Sequence, residues 1–220
     1  MAKGGLIISL LFSLLFVDNA LAGERVLNGK IGSTDFQVRY KNYGQQITII
    51  RNAKEQIVKL TGYTPDSVVV QDIDGDKNDE VLFLDLFGIS VGGNLRIIYW
   101  DGNAFTEVTD DDYTANRYEI RTFDGKSYVF LIQHDSMDLY YVDNILSLID
   151  KRLVSYESKP IWNSLADYYI KKAKASKDNW EKSRYYSYAY GIFGDIGEND
   201  KAAACYRKAL KLDKDNPILK

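Results

Sequence analysis

The hydrophobic pattern of this 220-residue chain changes its period near Pro160. Before that point apolar and polar residues alternate in short segments, as they do from Arg117 to Phe123. After it, apolar residues recur every three to four positions. Alternation indicates strands with one buried face, and the longer period indicates amphipathic helices. We therefore predict an α+β fold, with an N-terminal antiparallel β-domain followed by a C-terminal all-α module of about three helices.

Strands are expected between about Phe36 and Val154. The pairs Asp101-Gly102 and Asp124-Gly125 each separate two apolar segments, and Asp-Gly favours hairpin turns with positive φ. Some 120 residues suffice for at most about three propeller blades of 40 to 45 residues, so we expect a sandwich, a partial barrel or a blade-like stack of sheets. The predicted strands are 46–51, 56–60, 67–70, 81–86, 95–100, 104–108, 117–123, 127–133, 139–142 and 145–148.

Three helices are expected after the strands. Ser158 suits an N-cap and Pro160 a first helical turn, and the first helix carries an apolar stripe from Ile161 to Ala173. A second helix is predicted from Asp178 to Phe193, since Asp178 and Glu181 have capping-box spacing. A third is predicted from Lys201 to Leu212.

The first 22 residues have the features of a secretory signal peptide. Lys3 precedes an uncharged apolar run, and Ala20-Leu21-Ala22 offers a small-residue cleavage site. Export to the periplasm or the medium is expected, with a mature chain that starts at Gly23. No later segment approaches the roughly 20 apolar residues of a transmembrane helix, so no membrane span is predicted.

Charge divides the remaining chain into two parts. Residues 23–150 hold 12 basic and 21 acidic side chains, a net charge of -9, whereas residues 151–220 hold 15 and 9, a net charge of +6. Together with the change of period, this division predicts a β-rich domain over residues 23–156 and a helical domain over 157–220. The basic part has no aromatic-basic motif of a nucleic-acid reader, so no nucleic-acid partner is expected.

An acidic segment from Asp72 to Glu80 is the strongest candidate for a site. Carboxylates at alternate positions of a curled loop converge on one point, and a cation among them relieves their mutual repulsion. Oxygen donors with no neighbouring His or Cys favour calcium over zinc or copper. The alternative is a solvated acidic turn without metal. The predicted metal ligands are Asp72, Asp74, Asp76, Asn78 through its backbone carbonyl, and Glu80.

This segment resembles the calcium loops of FG-GAP and VCBS-type β-propeller repeats. The resemblance covers residues 67–109 in a single copy, with the apolar strand Val81 to Leu86 directly after the loop. It implies calcium binding and a blade-like unit. Lys77 departs from the family pattern, because it stands where these loops usually have glycine.

The last two helices resemble a tetratricopeptide repeat over residues 183–216. Ala202, Tyr206, Ala209 and Leu210 fit the second helix of such a repeat, and Gly197 fits its turn. Tyr190 and Lys214 depart from the pattern. The resemblance implies a protein partner, whereas an ordinary helical hairpin is the alternative. One repeat cannot bury its own apolar face, so the hairpin is expected to stack on another element or on another molecule.

Other polar residues carry weaker signals. His134, Asp135 and Ser136 are the residue types of a hydrolase triad, but neighbours on a strand end point apart, so no catalytic residue is predicted. Asp110, Asp111 and Asp112 are read as an exposed loop. Cys205 is predicted to be a buried, unreactive thiol. The tyrosines from Tyr185 to Tyr190 either pack on another element or offer a surface to a protein or glycan partner.

Two function hypotheses follow from these features. The first is an exported non-enzymatic binding or scaffold protein with a calcium-stabilised β-domain and a tetratricopeptide-like module. The second is an enzyme, or an accessory protein of an enzyme, that acts on cell-envelope polysaccharide. The second needs two facing carboxyl groups in an aromatic cleft, such as Asp85 and Asp138.

Overall fold

The computed structural model describes residues 23–63, 67–88, 92–108, 113–134, 139–156 and 158–219. Over these residues the chain forms three antiparallel sheets followed by three helices, which confirms the predicted α+β class. The predicted signal peptide, residues 1–22, lies outside the described residues.

Each sheet is an up-and-down meander whose neighbouring strands follow one another in sequence, apart from one two-residue strand at the side of the second sheet. Sheet 1 contains β1 (Arg25–Ile31), β2 (Thr34–Tyr40), β3 (Gln46–Arg51) and β4 (Lys54–Lys59). Sheet 2 contains β5 (Val69–Gln71), β6 (Glu80–Gly88), β7 (Gly92–Trp100) and β8 (Phe105–Glu107), with the short β9 (Thr114–Ala115) paired to β7. Sheet 3 contains β10 (Arg117–Phe123), β11 (Lys126–His134), β12 (Tyr140–Ile149) and β13 (Arg152–Ser155).

The predicted segments match nine of the thirteen strands in the described residues, and β1, β2, β9 and β13 have no counterpart among them. The edge strand β1 lies before Phe36, where no strand is predicted. Periodicity does not mark it, because it is mostly exposed and its sequence has little apolar alternation. The predicted pair 139–142 and 145–148 is one strand, β12. Leu131 pairs with Asn144 and Ile132 with Val142, so Asp143 is the extra residue of a β-bulge. A bulge keeps a strand continuous across a polar residue that interrupts the alternation.

The three sheets stack face to face, and the middle sheet is buried on both sides. Along β6, Val81 and Phe83 join a core with sheet 1, whereas Leu82 and Leu84 join a core with sheet 3. A strand that is buried on both faces has a nearly continuous apolar sequence. The segment Val81 to Leu84 therefore lacks alternation although it is a strand.

Three helices cover the outer face of sheet 3. They are α1 (Lys159–Ala175), α2 (Asn179–Asp195) and α3 (Asn199–Leu212), followed by a short 3-10 helix, Pro217–Leu219. The predicted helix limits are thus correct to within two residues. None of the described helices is long and apolar enough to cross a membrane.

The capping predictions hold in part. Asp178 caps α2, since its carboxylate accepts a hydrogen bond from the Glu181 N–H at 2.9 Å. Glu181 does not complete the box, because its carboxylate accepts a hydrogen bond from Ser176 Oγ instead. Ser158 lies at the N-cap of α1 but makes no capping hydrogen bond through its side chain.

Sheet 3 and the helices share one hydrophobic core. Phe130 and Ile145 of the sheet lie in the same buried cluster as Leu165 of α1 and Ile192 of α2. The Tyr169 hydroxyl of α1 accepts a hydrogen bond from the Val142 N–H at 2.7 Å. The helical module therefore completes the core on the outer face of sheet 3.

The tyrosines of α2 pack on neighbouring elements. Tyr188 stacks on Tyr141 of sheet 3, with ring centroids 5.3 Å apart. Tyr190 contacts Tyr206 of α3, also at 5.3 Å. Of the two roles foreseen for these rings, packing on another element accounts for both pairs.

Candidate metal centre

The acidic segment forms the connection between β5 and β6, at a point where all three sheets meet. On one side it contacts the β1–β2 turn of sheet 1. The Asp79 N–H donates to the Lys30 carbonyl at 2.8 Å, and the Lys30 N–H donates to the Asp79 carboxylate at 2.7 Å. The Gly32 N–H donates to Asn78 Oδ1 at 3.0 Å. These bonds fix the loop against sheet 1.

Hydrogen bonds to its own backbone curl the loop. Asp72 accepts from the N–H groups of Gly75 and Lys77 at 2.7 and 3.0 Å. Asp74 Oδ1 accepts from the Asp76 N–H at 3.1 Å, and Asp76 Oδ1 accepts from the N–H of Asn78 at 2.8 Å. Asp72, Asp74 and Asp76 are thereby each held against the backbone that follows them in the sequence.

Two loop residues adopt left-handed backbone conformations. Gly75 has φ 85°, and Lys77 has φ 70°. Lys77 therefore adopts the left-handed conformation at the position where FG-GAP and VCBS-type loops usually have glycine, at a cost of about 1 kcal/mol. The departure from the family pattern does not prevent the loop from curling.

Glu80 is the most buried acid of the cluster. It begins β6, it has no exposed surface, and its Oε2 accepts a hydrogen bond from the Ile73 N–H at 2.9 Å. Its Oε1 is buried and accepts no hydrogen bond from any described residue. Burial raises the pKa of Glu80 to about 8. With such a pKa the acid is mostly protonated at neutral pH when no further cation is bound, and a cation beside it would favour the charged carboxylate.

The structure brings together three of the five predicted ligands. Asp72, Asp74 and Glu80 each offer an oxygen, and these oxygens all lie within 4.8 Å of one another. This group could hold a metal ion. Asp76 is exposed and lies outside the group. The Asn78 side chain accepts the Gly32 N–H, and its backbone carbonyl stays a predicted ligand.

Lys151, which the sequence did not single out, completes the cluster from sheet 3. It lies in the β12–β13 turn, where Asp150 and Lys151 have φ 50° and 60°. Its Nζ is 2.5 Å from Asp74 Oδ2, 2.7 Å from Asp76 Oδ2 and 3.7 Å from Glu80 Oε1. The loop thus contacts both outer sheets while belonging to the middle one.

The pKa shifts reflect this ion cluster. Partial burial tends to lower the pKa of Lys151, but its hydrogen bonds to Asp74 and Asp76 outweigh that effect and raise it. For Asp76, burial acts to raise the pKa, and the hydrogen bonds from Lys151 and from the Asn78 N–H lower it overall. Lys151 and Asp76 are therefore both charged at neutral pH.

Asp85 has a structural role. It is 2% exposed, and its carboxylate accepts hydrogen bonds from Thr61 N–H, Thr61 Oγ1 and Gly62 N–H at 2.8 to 2.9 Å. It also pairs with Arg96 at 3.2 Å. Because all these partners occupy its oxygens inside the fold, Asp85 is not placed to face a second carboxyl group across a cleft. Asp138, its suggested partner, lies outside the described residues.

The remaining candidates do not form a site within the described residues. His134 is exposed at the end of β11, and its ring lies 5.0 Å from that of Tyr140. Cys205 is 3% exposed, as predicted, and burial raises the pKa of its thiol. The other five residues considered, Asp110, Asp111, Asp112, Asp135 and Ser136, lie outside the described residues.

Comparison of the chain with family models, with curated proteins and with solved structures found no match.

Proposed function

We propose that the protein is an exported, non-enzymatic binding or scaffold protein in which a calcium site ties the stacked β-sheets together. The observation that carries the proposal is the buried Glu80 Oε1, which accepts no hydrogen bond from the described residues and lies beside Asp72 and Asp74. The Lys151 ammonium is 3.7 Å from this oxygen, beyond hydrogen-bond distance, whereas a divalent cation among the three acids would contact it directly. Export rests on the signal-like residues 1–22.

The chemistry of the donors supports calcium among divalent cations. The cluster offers carboxylate oxygens, which suit hard cations. Calcium accepts six to eight oxygens in a flexible arrangement, whereas magnesium demands a near-ideal octahedron. Asp72, Asp74, Asp76 and Glu80 on a curled loop, with the Asn78 carbonyl, suit the less demanding ion.

The calcium proposal is tested by thermal unfolding in calcium and in chelator. For a dissociation constant of about 0.1 to 1 mM, 1 mM free calcium adds roughly 0.4 to 1.4 kcal/mol to the free energy of unfolding. Asp74→Ala is expected to abolish this rise. Asp79→Ala removes the same charge from the same loop but from a residue bonded to Lys30, so it is expected to keep the rise.

Calorimetric titration with calcium completes the test. Equal melting temperatures of the wild type in calcium and in chelator, together with no heat of binding, would contradict the calcium site. A loop held only by Lys151 would then account for the cluster.

Protein binding is proposed for the helical module. A shallow groove of about 470 Å³ lies between the C-terminal part of α2 and the N-terminal part of α3. Tyr190 and Tyr206 line it together with Ala202, Ala203 and Leu219. Aromatic side chains at a groove offer a large contact area at low entropic cost.

The binding proposal is tested by site-specific photo-crosslinking. A photoreactive phenylalanine analogue replaces Tyr206 in the groove, and in a control protein it replaces Ile57, which is exposed on sheet 1 at the other end of the stack. A discrete crosslinked species in the exported fraction is expected from position 206 and not from position 57. Equal labelling at both positions would contradict a partner site in the groove.

A further inference from the structure

We infer that Lys151 is a tethered cation that competes with the divalent ion for the acidic loop, so that metal binding displaces the β12–β13 turn from the loop. The inference rests on the proposed calcium site and concerns its regulation. Two observations support it, namely the buried Glu80 Oε1, which accepts no hydrogen bond from the described residues, and the position of the Lys151 ammonium among the same carboxylates.

Lys151 faces oxygens of two of the three acids that could hold a metal ion, Asp74 and Glu80, and an oxygen of the neighbouring Asp76. Asp74 Oδ1 and Asp76 Oδ1 each accept a backbone N–H within the loop. The second oxygen of each, Oδ2, accepts from Lys151 Nζ. The two oxygens of Glu80 are used in the same way. Its Oε2 accepts a hydrogen bond from the Ile73 N–H, and its Oε1 lies 3.7 Å from Lys151 Nζ.

A divalent ion and the ammonium group are therefore mutually exclusive. Calcium binds carboxylate oxygens at 2.3 to 2.6 Å, which are nearly the distances that separate Nζ from Asp74 and Asp76. An ion on these oxygens would lie close to Nζ, where two positive charges repel strongly at low effective dielectric constant. The lysine must leave before the ion can bind.

The lysine belongs to a different sheet from the loop, and this gives the exchange a structural consequence. Lys151 joins the β12–β13 turn of sheet 3 to the loop of sheet 2, and its Nζ also lies 5.4 Å from the centre of the Tyr99 ring. When the ion replaces it, the loop becomes more ordered, while the turn loses its ion pairs. Lys151 thus lowers calcium affinity and couples site occupancy to the position of the turn.

The first test is calorimetric titration of calcium into the wild type and Lys151→Met, which keeps the length of the side chain without its charge. Lys77→Met is the matched control, because it removes one exposed positive charge from the loop itself without freeing a ligand oxygen. We expect at least about tenfold tighter calcium binding by Lys151→Met, because this variant has no ammonium group that competes for the partly buried carboxylates. The change for Lys77→Met is expected to be less than about threefold.

Each outcome separates the inference from the proposed function. If the wild type binds calcium and Lys151→Met binds no tighter than Lys77→Met, the inference is wrong and the calcium site stands. If neither binds calcium, both are wrong. If only Lys151→Met binds, the competition is supported, and the wild-type protein uses the lysine in place of the ion.

The second test is hydrogen exchange of the wild-type protein with and without calcium. We expect slower amide exchange at residues 72–80 and faster exchange at residues 149–152 when calcium is added. Slower exchange in both segments would overturn the displacement, because it would mean that the turn stays bound to an occupied loop.

Discussion

At the scale of single residues, position in the fold decides which polar side chains are available for chemistry. Asp85 is an acid on the same strand as Glu80, yet Thr61, Gly62 and Arg96 occupy its oxygens. Glu80 keeps one buried oxygen without a donor among the described residues. The two carboxylates differ in their neighbours, and only Glu80 lies beside other acids that share its need for a cation.

Cys205 gives a prediction at this scale. Its side chain is buried in the helical core, and burial raises the pKa of the thiol, so little thiolate is present at neutral pH. We expect the native protein to react with a thiol reagent at least about 100-fold more slowly than the denatured protein at pH 7.5. Ala203→Cys, on the same helix but partly exposed, is the control and is expected to react fast. Similar rates for both native thiols would contradict a buried Cys205.

At the scale of elements, the turn between α2 and α3 shows why a particular residue type ends a helix. Gly197 has φ 78°, which allows the Glu198 N–H to donate to the Phe193 carbonyl at 2.8 Å. A side chain is disfavoured in this conformation. After α3, the buried Asn216 amide donates to Ser183 Oγ at 2.7 Å and to Ser187 Oγ at 2.9 Å, which fixes the C-terminal segment on α2.

Two glycine substitutions, one in the turn after α2 and one within α2, test the role of this turn. Gly197→Ala is expected to lower the free energy of unfolding by about 1 kcal/mol, because alanine is strained at positive φ. Gly191→Ala, at an exposed position of α2 where no neighbouring group lies within 4 Å of the added methyl group, is expected to raise it by about 0.5 to 1 kcal/mol. Urea unfolding measures both values. Stabilisation by both substitutions would show that the turn does not need a glycine.

At the scale of the whole molecule, the chain is a stack of layers in which each inner sheet is covered twice. Val129 and Leu131 of β11 face sheet 2, whereas Phe130 and Ile132 face the helices. The helices therefore take the place that a further sheet would have. The acidic loop lies at the side of this stack and contacts sheets 1 and 3, so a cation there acts on the packing of all three sheets.

Removal of the helices tests this arrangement. A fragment of residues 23–156 is expected to keep a β-type circular-dichroism spectrum, since the cores on both sides of sheet 2 remain. It is also expected to bind a hydrophobic dye and to melt below the whole protein, because each large apolar side chain uncovered on sheet 3 loses about 1.5 to 3 kcal/mol of burial.

Phe130→Ser with Ile132→Ser in this fragment is the control. These changes remove apolar surface that the helices cover in the whole protein, so dye binding is expected to fall. A fragment that binds no dye and melts with the whole protein would contradict the shared core and would favour two independent domains.

The sequence alone determined the α+β class, the three helices, most strands and the curled acidic loop, because each of these depends on contacts between residues close in the chain. Periodicity locates α1 to within two residues, and the Asp178 cap needs only the three residues after it. The sheet stack and the double burial of β6 were decided by the tertiary structure, since contacts between sheets join residues far apart.

The candidate site shows the same division. Asp72, Asp74 and Glu80 converge because a short loop curls on its own hydrogen bonds, and alternate spacing of acids predicts that. Lys151 is 71 residues beyond Glu80 in the sequence and reaches the loop only because sheet 3 packs against sheet 2. No local pattern marks that lysine, since its pairing energy depends on a position in space that the stacking of the sheets creates.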